Sequence, residues 1–245
     1  MIAALLRNRT LAAFFLLAAA GAAAATTIAG SGNLRTETRA VTGFTGIALA
    51  LPGRVDLTLG GREALSISAD DNLLAEIETV VESGVLKIRW RDRIHVSRIK
   101  SIRIALTAKA IDSLAISGSG EIVATSLRAG DLKVAISGSG DVKLPALTAA
   151  ALNVSIGGSG DFSADGKADS LTANIAGSGE VKAGRLAAQA VKISVAGSGD
   201  AIVWARDELH VNVAGSGDVR YYGDPAVKRT VVGSGSVKRL GSAPA

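Results

Sequence analysis

Apolar and polar residues alternate along most of this chain in short, evenly spaced runs. The clearest are Leu132, Val134, Ile136; Leu152, Val154, Ile156; Leu171, Ala173, Ile175; Val191, Ile193, Val195; and Leu209, Val211, Val213. A period of two sends successive side chains to opposite faces, so each run predicts a β-strand with one buried face. After a short break the alternation resumes in Val142 and Leu144, Val181 and Ala183, Ala201 and Val203, and Val219 and Tyr221, with Lys143, Lys182 and Arg220 between them. Residues 55–59, 65–68, 85–90 and 99–106 alternate in the same way, so residues 33–110 read as the start of the same architecture or a cap on it. Asp70-Asp71-Asn72 before Leu73-Leu74 predicts one helical turn, capped by an acid or amide that accepts from orphan N–H groups.

The breaks between runs carry a tetrapeptide, Gly-Ser-Gly-acid, whose first glycines are Gly118, Gly138, Gly158, Gly177, Gly197 and Gly215. A seventh copy starts at Gly233 and has Ser236 in place of the acid. The spacings are 20, 20, 19, 20, 18 and 18 residues, too short for a domain and too regular for chance. Such a period predicts stacked coils. The fold class is therefore all-β, a right-handed parallel β-helix (β-solenoid) with about 18–20 residues per Gly-Ser-Gly-Asp repeat and coils ~4.8 Å apart. Serines should form one ladder and acids another. An antiparallel meander with a hairpin at each Gly-Ser-Gly has the same periodicity and stays open. Glycine suits the corner because a sharp bend calls for φ > 0 or a backbone approach that a Cβ would block, and Gly179 is expected at φ > 0.

Composition narrows the context. Aromatics make up 3% of 245 residues, so Val, Ile, Leu and Ala must fill the core, as suits thin stacked layers. Arg7 and Arg9 precede the apolar run 11–20 and the small-residue stretch 21–25. This pattern predicts a signal peptide over 1–25 and export to the periplasm, cell surface or medium, with an uncleaved anchor as the alternative. The remainder, 26–245, is one solenoid domain, with an N-terminal part at 33–110 and a repeat part at 111–240. There is no cysteine, which excludes disulfides, thiolate metal sites and a lipidated N-terminal Cys. The formal charge of +5 falls to about +3 without Arg7 and Arg9, too mild to imply nucleic acid. The one dense basic run, Arg89, Arg91, Arg93, Arg98, Lys100 and Arg103, reads as a solvated strand face, with a polyanion-binding patch as its functional alternative.

On these residues the chain resembles the family of exported bacterial proteins called putative auto-transporter adhesin, head GIN domain. The resemblance begins at Gly30-Ser31-Gly32-Asn33 and continues through Thr36-Glu37-Thr38-Arg39, Val41-Thr42-Gly43-Phe44 and Ile47. It runs on through Ser68-Ala69-Asp70-Asp71-Asn72 and Gly84-Val85-Leu86-Lys87-Ile88 to the Gly-Ser-Gly series, Tyr221-Tyr222-Gly223-Asp224-Pro225 and the copy at Gly233. It implies a right-handed parallel β-helix on or outside the cell envelope and no particular activity. Ala50-Leu51-Pro52-Gly53 departs from the family pattern, which should alter the first corner alone.

The sharpest candidate chemistry is the acid row Glu121, Asp141, Asp161, Glu180, Asp200 and Asp218. Six like charges at coil spacing would invite calcium, yet one acid per coil falls short of the six or more oxygens that calcium takes. The plainer reading is that each acid accepts from corner N–H groups, with Lys143, Lys182 and Arg220 offsetting the charge. His95 and His210 lie in alternating runs away from any nucleophile motif and read as surface positions. Asp161 with Asp165, or Asp200 with Asp207, could pair as the carboxylates of a glycan-cleaving β-helix. Trp204 beside Arg206 could grip a sugar, although Trp204, Tyr221 and Tyr222 read better as part of an end cap, and Trp90 stands apart from them. No catalytic, cofactor-binding or metal-ligating residue is assigned. The expected function is an exported, non-enzymatic envelope scaffold for adhesion to an envelope glycan or another surface protein, or for self-association through solenoid faces or edges. A carbohydrate-active or glycan-binding β-helix is the alternative.

Overall fold

The computed structural model describes residues 26–244, and the signal peptide expected over 1–25 lies outside them. The N-terminal part contains β1 (Thr26–Ala29), β2 (Leu34–Arg39), β3 (Gly46–Ala50), β4 (Arg54–Leu59), β5 (Ala64–Asp70), α1 (Asp71–Leu74), β6 (Ile77–Glu82), β7 (Val85–Trp90), β8 (Ile94–Ser97) and β9 (Arg103–Ala108). The repeat part contains β10 (Ser113–Gly118), β11 (Glu121–Ala124), β12 (Leu127–Gly138), β13 (Asp141–Gly158), β14 (Asp161–Gly177), β15 (Glu180–Gly197), β16 (Asp200–Gly215), β17 (Val219–Tyr222), β18 (Ala226–Gly233) and β19 (Val237–Gly241).

Every pairing within the repeat part is parallel and joins a strand to its equivalent in the next coil. The fold is a β-solenoid, and the antiparallel meander is excluded. The alternating residues explain the order, because each inward position meets the same position one coil away. Ile88, Leu49, Ile116, Ile136, Ile156, Ile175, Val195, Val213 and Val231 form one inward column. Ile104, Val55, Ile122, Val142, Phe162, Val181, Ala201, Val219 and Val237 form another. Apart from the last residue of each column, these side chains are buried, Phe162 completely. Each buried Val, Ile, Leu or Phe is worth about 1.5–3 kcal/mol as an upper estimate, so a core of thin aliphatic layers holds the stack with few aromatics.

A coil has three pairing stretches, one more than the alternation alone suggests. β13 pairs with β14 over Asp141–Leu144, Leu147–Ala149 and Ala151–Gly158, with a register slip between Leu144 and Leu147. The middle stretch carries its own inward positions, Leu127, Leu147 and Leu186 beside Ala149, Ala168 and Ala188. It is too short and too rich in alanine to show a period.

Spatial order departs from chain order in the N-terminal part. β3 pairs with β7 on one side and with β10 on the other, and β4 lies likewise between β9 and β11. The coil of residues 46–59 therefore sits between the coils of 85–108 and 113–124. Beyond β7 and β9 the parallel stack gives way to antiparallel strands, β6 on β7 and then β5 and β2 outside β9. Residues 33–110 thus supply both two coils and a cap. Three local expectations change. The segment 99–102 is not strand, and β9 starts at Arg103. The basic run is no single strand face, since Arg89 lies on β7, Arg103 on β9 and the other four in the links around β8, with Arg89 paired to Glu78 at 2.7 Å. α1 forms where expected, but Asp70 makes no side-chain cap bond. Its carboxylate is fully buried and instead accepts from Gly32 N at 2.7 Å and Lys100 N at 3.1 Å, tying the first loop and the 98–102 segment to β5. The departing corner, Leu51 to Gly53, closes with Gly53 N donating to Leu51 O at 2.9 Å and leaves the flanking registers intact.

Candidate functional site

The Gly-Ser-Gly corners fall in register from coil to coil. From Ser139 onward each corner serine N–H donates to a glycine carbonyl of the preceding coil, as in Ser178 to Gly158 and Ser198 to Gly177, both at 2.9 Å. The two glycines of a corner do different jobs. Gly177 has φ 133, which disfavours an L side chain. Gly179 is not at positive φ, contrary to expectation. It is required because a Cβ there would run into Gly160 O and Ile156 Cγ2. The serine side chains form an exposed row and the second glycines pack inside.

Beside this corner runs the acid row. Glu121, Asp141, Asp161, Glu180 and Asp200 are register partners in sequence. Three of the acids bind the next coil rather than their own corner. Asp161 accepts from Glu180 N at 3.3 Å, Asp200 from Asp218 N at 2.8 Å, and Asp218 from Ser236 N at 2.9 Å and Ser236 Oγ at 2.8 Å. Lysines neutralise the row as expected at two places: Lys143 meets Glu121 at 2.7 Å, and Lys182 meets Asp161 at 2.7 Å and Glu180 at 3.1 Å. Arg220 makes no ion pair among the described residues, and its buried Nε has no partner. Arg54 takes that role instead, donating to Glu121 at 2.9 Å from the coil above. Only the spatial order of coils reveals that pair. The Lys143 hydrogen bond, with the Arg54 charge beside it, holds the Glu121 carboxyl below the usual range, against a smaller opposing effect of burial. The Asp161 hydrogen bond, with Glu180 assisting, raises the Lys182 ammonium above its ordinary value. No group of three or more His, Asp or Glu gathers to hold a metal ion among the described residues.

The remaining candidates lie apart. His95 is exposed on β8, and His210 is half-buried on β16 with its Nε2 3.8 Å from Glu208. Trp90 packs partly buried against the core opposite Ile77. Asp207 is exposed away from the corner, whereas Asp165 borders an open groove of about 420 Å³ with Ser163, Lys182, Arg185, Ile202 and Tyr222. The structure thus gives Asp161 and Asp200 to coil stacking and does not gather either pair into a carboxylate couple with a common cleft. Tyr222 leans over Gly184, where a Cβ would stand 3.5 Å from its ring. Trp204 and Tyr222 are register partners, and Tyr221 packs on the core, but β18 and β19 follow them, so these aromatics do not end the stack. Alternation also sets small side chains outward on the strands before each corner. Ala176, Ala196 and Ala214 form one exposed column and Ser155, Asn174, Ser194, Asn212 and Thr230 its neighbour, and from Asn174 to Thr230 they line an open depression of about 420 Å³ with no charged residue in it.

A search of curated proteins gives no significant match. Solved structures give several. A "putative adhesin" from Bacteroides fragilis is 27% identical, with a TM-score of 0.81 over 87% of this chain and 100% of its own. A "putative lipid binding protein" from Parabacteroides distasonis is 25% identical, with a TM-score of 0.75 over 88% and 100%. A "putative adhesin" from Parabacteroides merdae, at 22% identity and a TM-score of 0.69 over 87% and 99%, shares the fold. No described helix is long and apolar enough to cross a membrane. Residues 43–225, from the loop before β3 to the turn after β17, match the profile of one family, and the chain belongs to it: "Putative auto-transporter adhesin, head GIN domain".

Proposed function

We propose that the protein is an exported, non-enzymatic scaffold of the cell envelope that presents a rigid outer face for adhesion to another surface. The observation that carries this reading is where the acids go. The acid row is used chiefly to join coils and to pair with Lys143, Lys182 and Arg54, while the outward face before the corners is lined by small, uncharged side chains. Adhesion by a rigid stack loses little entropy on contact, which suits a surface of modest chemistry. Membership in a family described as adhesin-like supports the same direction. Purified protein on a glycan array and on envelope fractions, read beside an assay for released reducing ends, tests it. Retention without release is expected, and release of reducing ends would overturn it.

A second reading, a glycan-binding site, is favoured by the groove beside Tyr222, where an aromatic ring stands next to Asp165 and Arg185. Loss of array binding in Tyr222→Ala with an unchanged melting curve would support it.

A further inference from the structure

The last coil is unlike the others. Its two strands face solvent along almost their whole length, and two inward columns end there in arginine: Arg229 follows Val211, and Arg239 follows Tyr221. Both guanidinium groups are held across the end of the stack by carbonyls, Arg229 Nη1 donating to Val237 O at 3.3 Å and Arg239 Nε to Gly223 O at 2.7 Å. Residues 219–241 carry Arg220, Lys228, Arg229, Lys238 and Arg239 against one acid, Asp224, which is 3.8 Å from Arg239 and almost fully exposed. Without Arg7 and Arg9 the chain's 27 Lys and Arg become 25 against 22 Asp and Glu, so outside this coil the balance is 20 against 21. The positive charge of residues 26–245 therefore resides at this end. The apolar residues agree. Leu34 aside, the exposed large hydrophobics of the described residues are Val227 at 38%, Val231 at 38%, Val232 at 67% and Leu240 at 41%.

Cations interleaved with exposed aliphatic side chains suit an anionic lipid surface, with valines and leucine entering the headgroup boundary while lysines and arginines meet phosphate. A second copy is a poorer occupant. A two-fold contact between β18 edges would bring Lys228 and Arg229 against their equivalents, and inward-pointing charges oppose edge pairing. A head-to-tail contact would meet β6 or β2, antiparallel strands that offer no continuing parallel coil. We infer that the β18–β19 end of the solenoid docks on an anionic bilayer.

Co-sedimentation of residues 26–245, which contain every strand described, with phosphatidylglycerol vesicles and with phosphatidylcholine vesicles tests this. Binding is expected to the anionic vesicles alone and to weaken with added salt. Lys228→Glu with Lys238→Glu, two exposed positions, should lower the partition coefficient at least about tenfold, and Val232→Ser should lower it less, with melting curves unchanged in both. Equal binding to neutral vesicles, equal capture by a soluble polyanion such as dextran sulfate, binding untouched by both variants, or a concentration-dependent dimer in place of vesicle binding would each overturn it. Retention in the adhesion assay that survives Lys228→Glu with Lys238→Glu while vesicle binding is lost would separate this result from the adhesion reading, whose face Thr230 and Val232 border.

Discussion

Gly177 and Gly179 are two residues apart and serve one corner for different reasons. Positive φ restricts Gly177, and the carbonyl of Gly160 restricts Gly179. Gly157 is a useful contrast, since a Cβ there meets nothing within 4 Å and its φ lies in the ordinary range. Gly179→Ala should therefore destabilise the protein by about 1–3 kcal/mol through forced displacement of the neighbouring coil. Gly157→Ala should change stability by no more than about 0.5–1 kcal/mol, in the stabilising direction. Denaturant melts of the two variants check this, and equal midpoints would refute the packing account. The need for glycine at each corner is plain from the tetrapeptide. Its cause at the third position is not, because close approach between coils is a property of the stack and leaves no mark on the local sequence.

The acid row behaves as an element in its own right, with the carboxylates of Glu121, Asp161, Asp200 and Asp218 each linked to a neighbouring coil. Glu121 shows how pH enters. Its folded pKa lies below the ordinary 4.5, chiefly through Lys143, so its stabilisation is complete above about pH 4.5 and is lost as pH falls through the lowered folded value. Lys143→Gln should cost about 0.5 kcal/mol at pH 7, a value kept small by the half-exposed lysine. That difference from wild type should shrink as pH falls through the lowered Glu121 value, as paired urea melts at pH 7 and at successively lower pH would show. The row also bears on metal dependence. Backbone N–H groups, lysines and Arg54 engage oxygens of Glu121, Asp161, Glu180, Asp200 and Asp218, and the aliphatic columns need no ion, so the β signal in circular dichroism should persist in excess chelator. Collapse reversed by added calcium would overturn this. Placement of the six acids in one row was legible from the period alone. Their bonding to the next coil's N–H was not, because one residue of translation decides which backbone group lies within reach.

At the scale of the whole molecule, the repeat part is modular. Deleting residues 159–177 joins Gly158 to Ser178 and sets Ile156 over Val195 and Val142 over Val181, matches of the kind already present. The shortened protein should remain soluble and β-rich, with a melting temperature lower by only a few degrees, of the order expected when one repeat of a quasi-linear array is lost. Deleting 60–84, by contrast, removes β5, α1 and β6 and should abolish cooperative melting of the N-terminal part. The repeats and their direction could be read from the tetrapeptide. The placement of residues 46–59 between 85–108 and 113–124 could not, since Ile47, Leu86 and Leu114 are equally good inward residues and alternation does not say which becomes whose neighbour.

That interleaving sets a timetable for folding. Gly46 finds its partners at Val85 and Ser113, whereas Val154 finds Ala173 within one repeat. The coil of residues 46–59 has one neighbour once residues 85–108 are available and both only at Ala124, while the later repeats close short loops at once. Residues 46–59 thus wait for more of the chain than any repeat does, since each repeat meets its neighbour one coil further on.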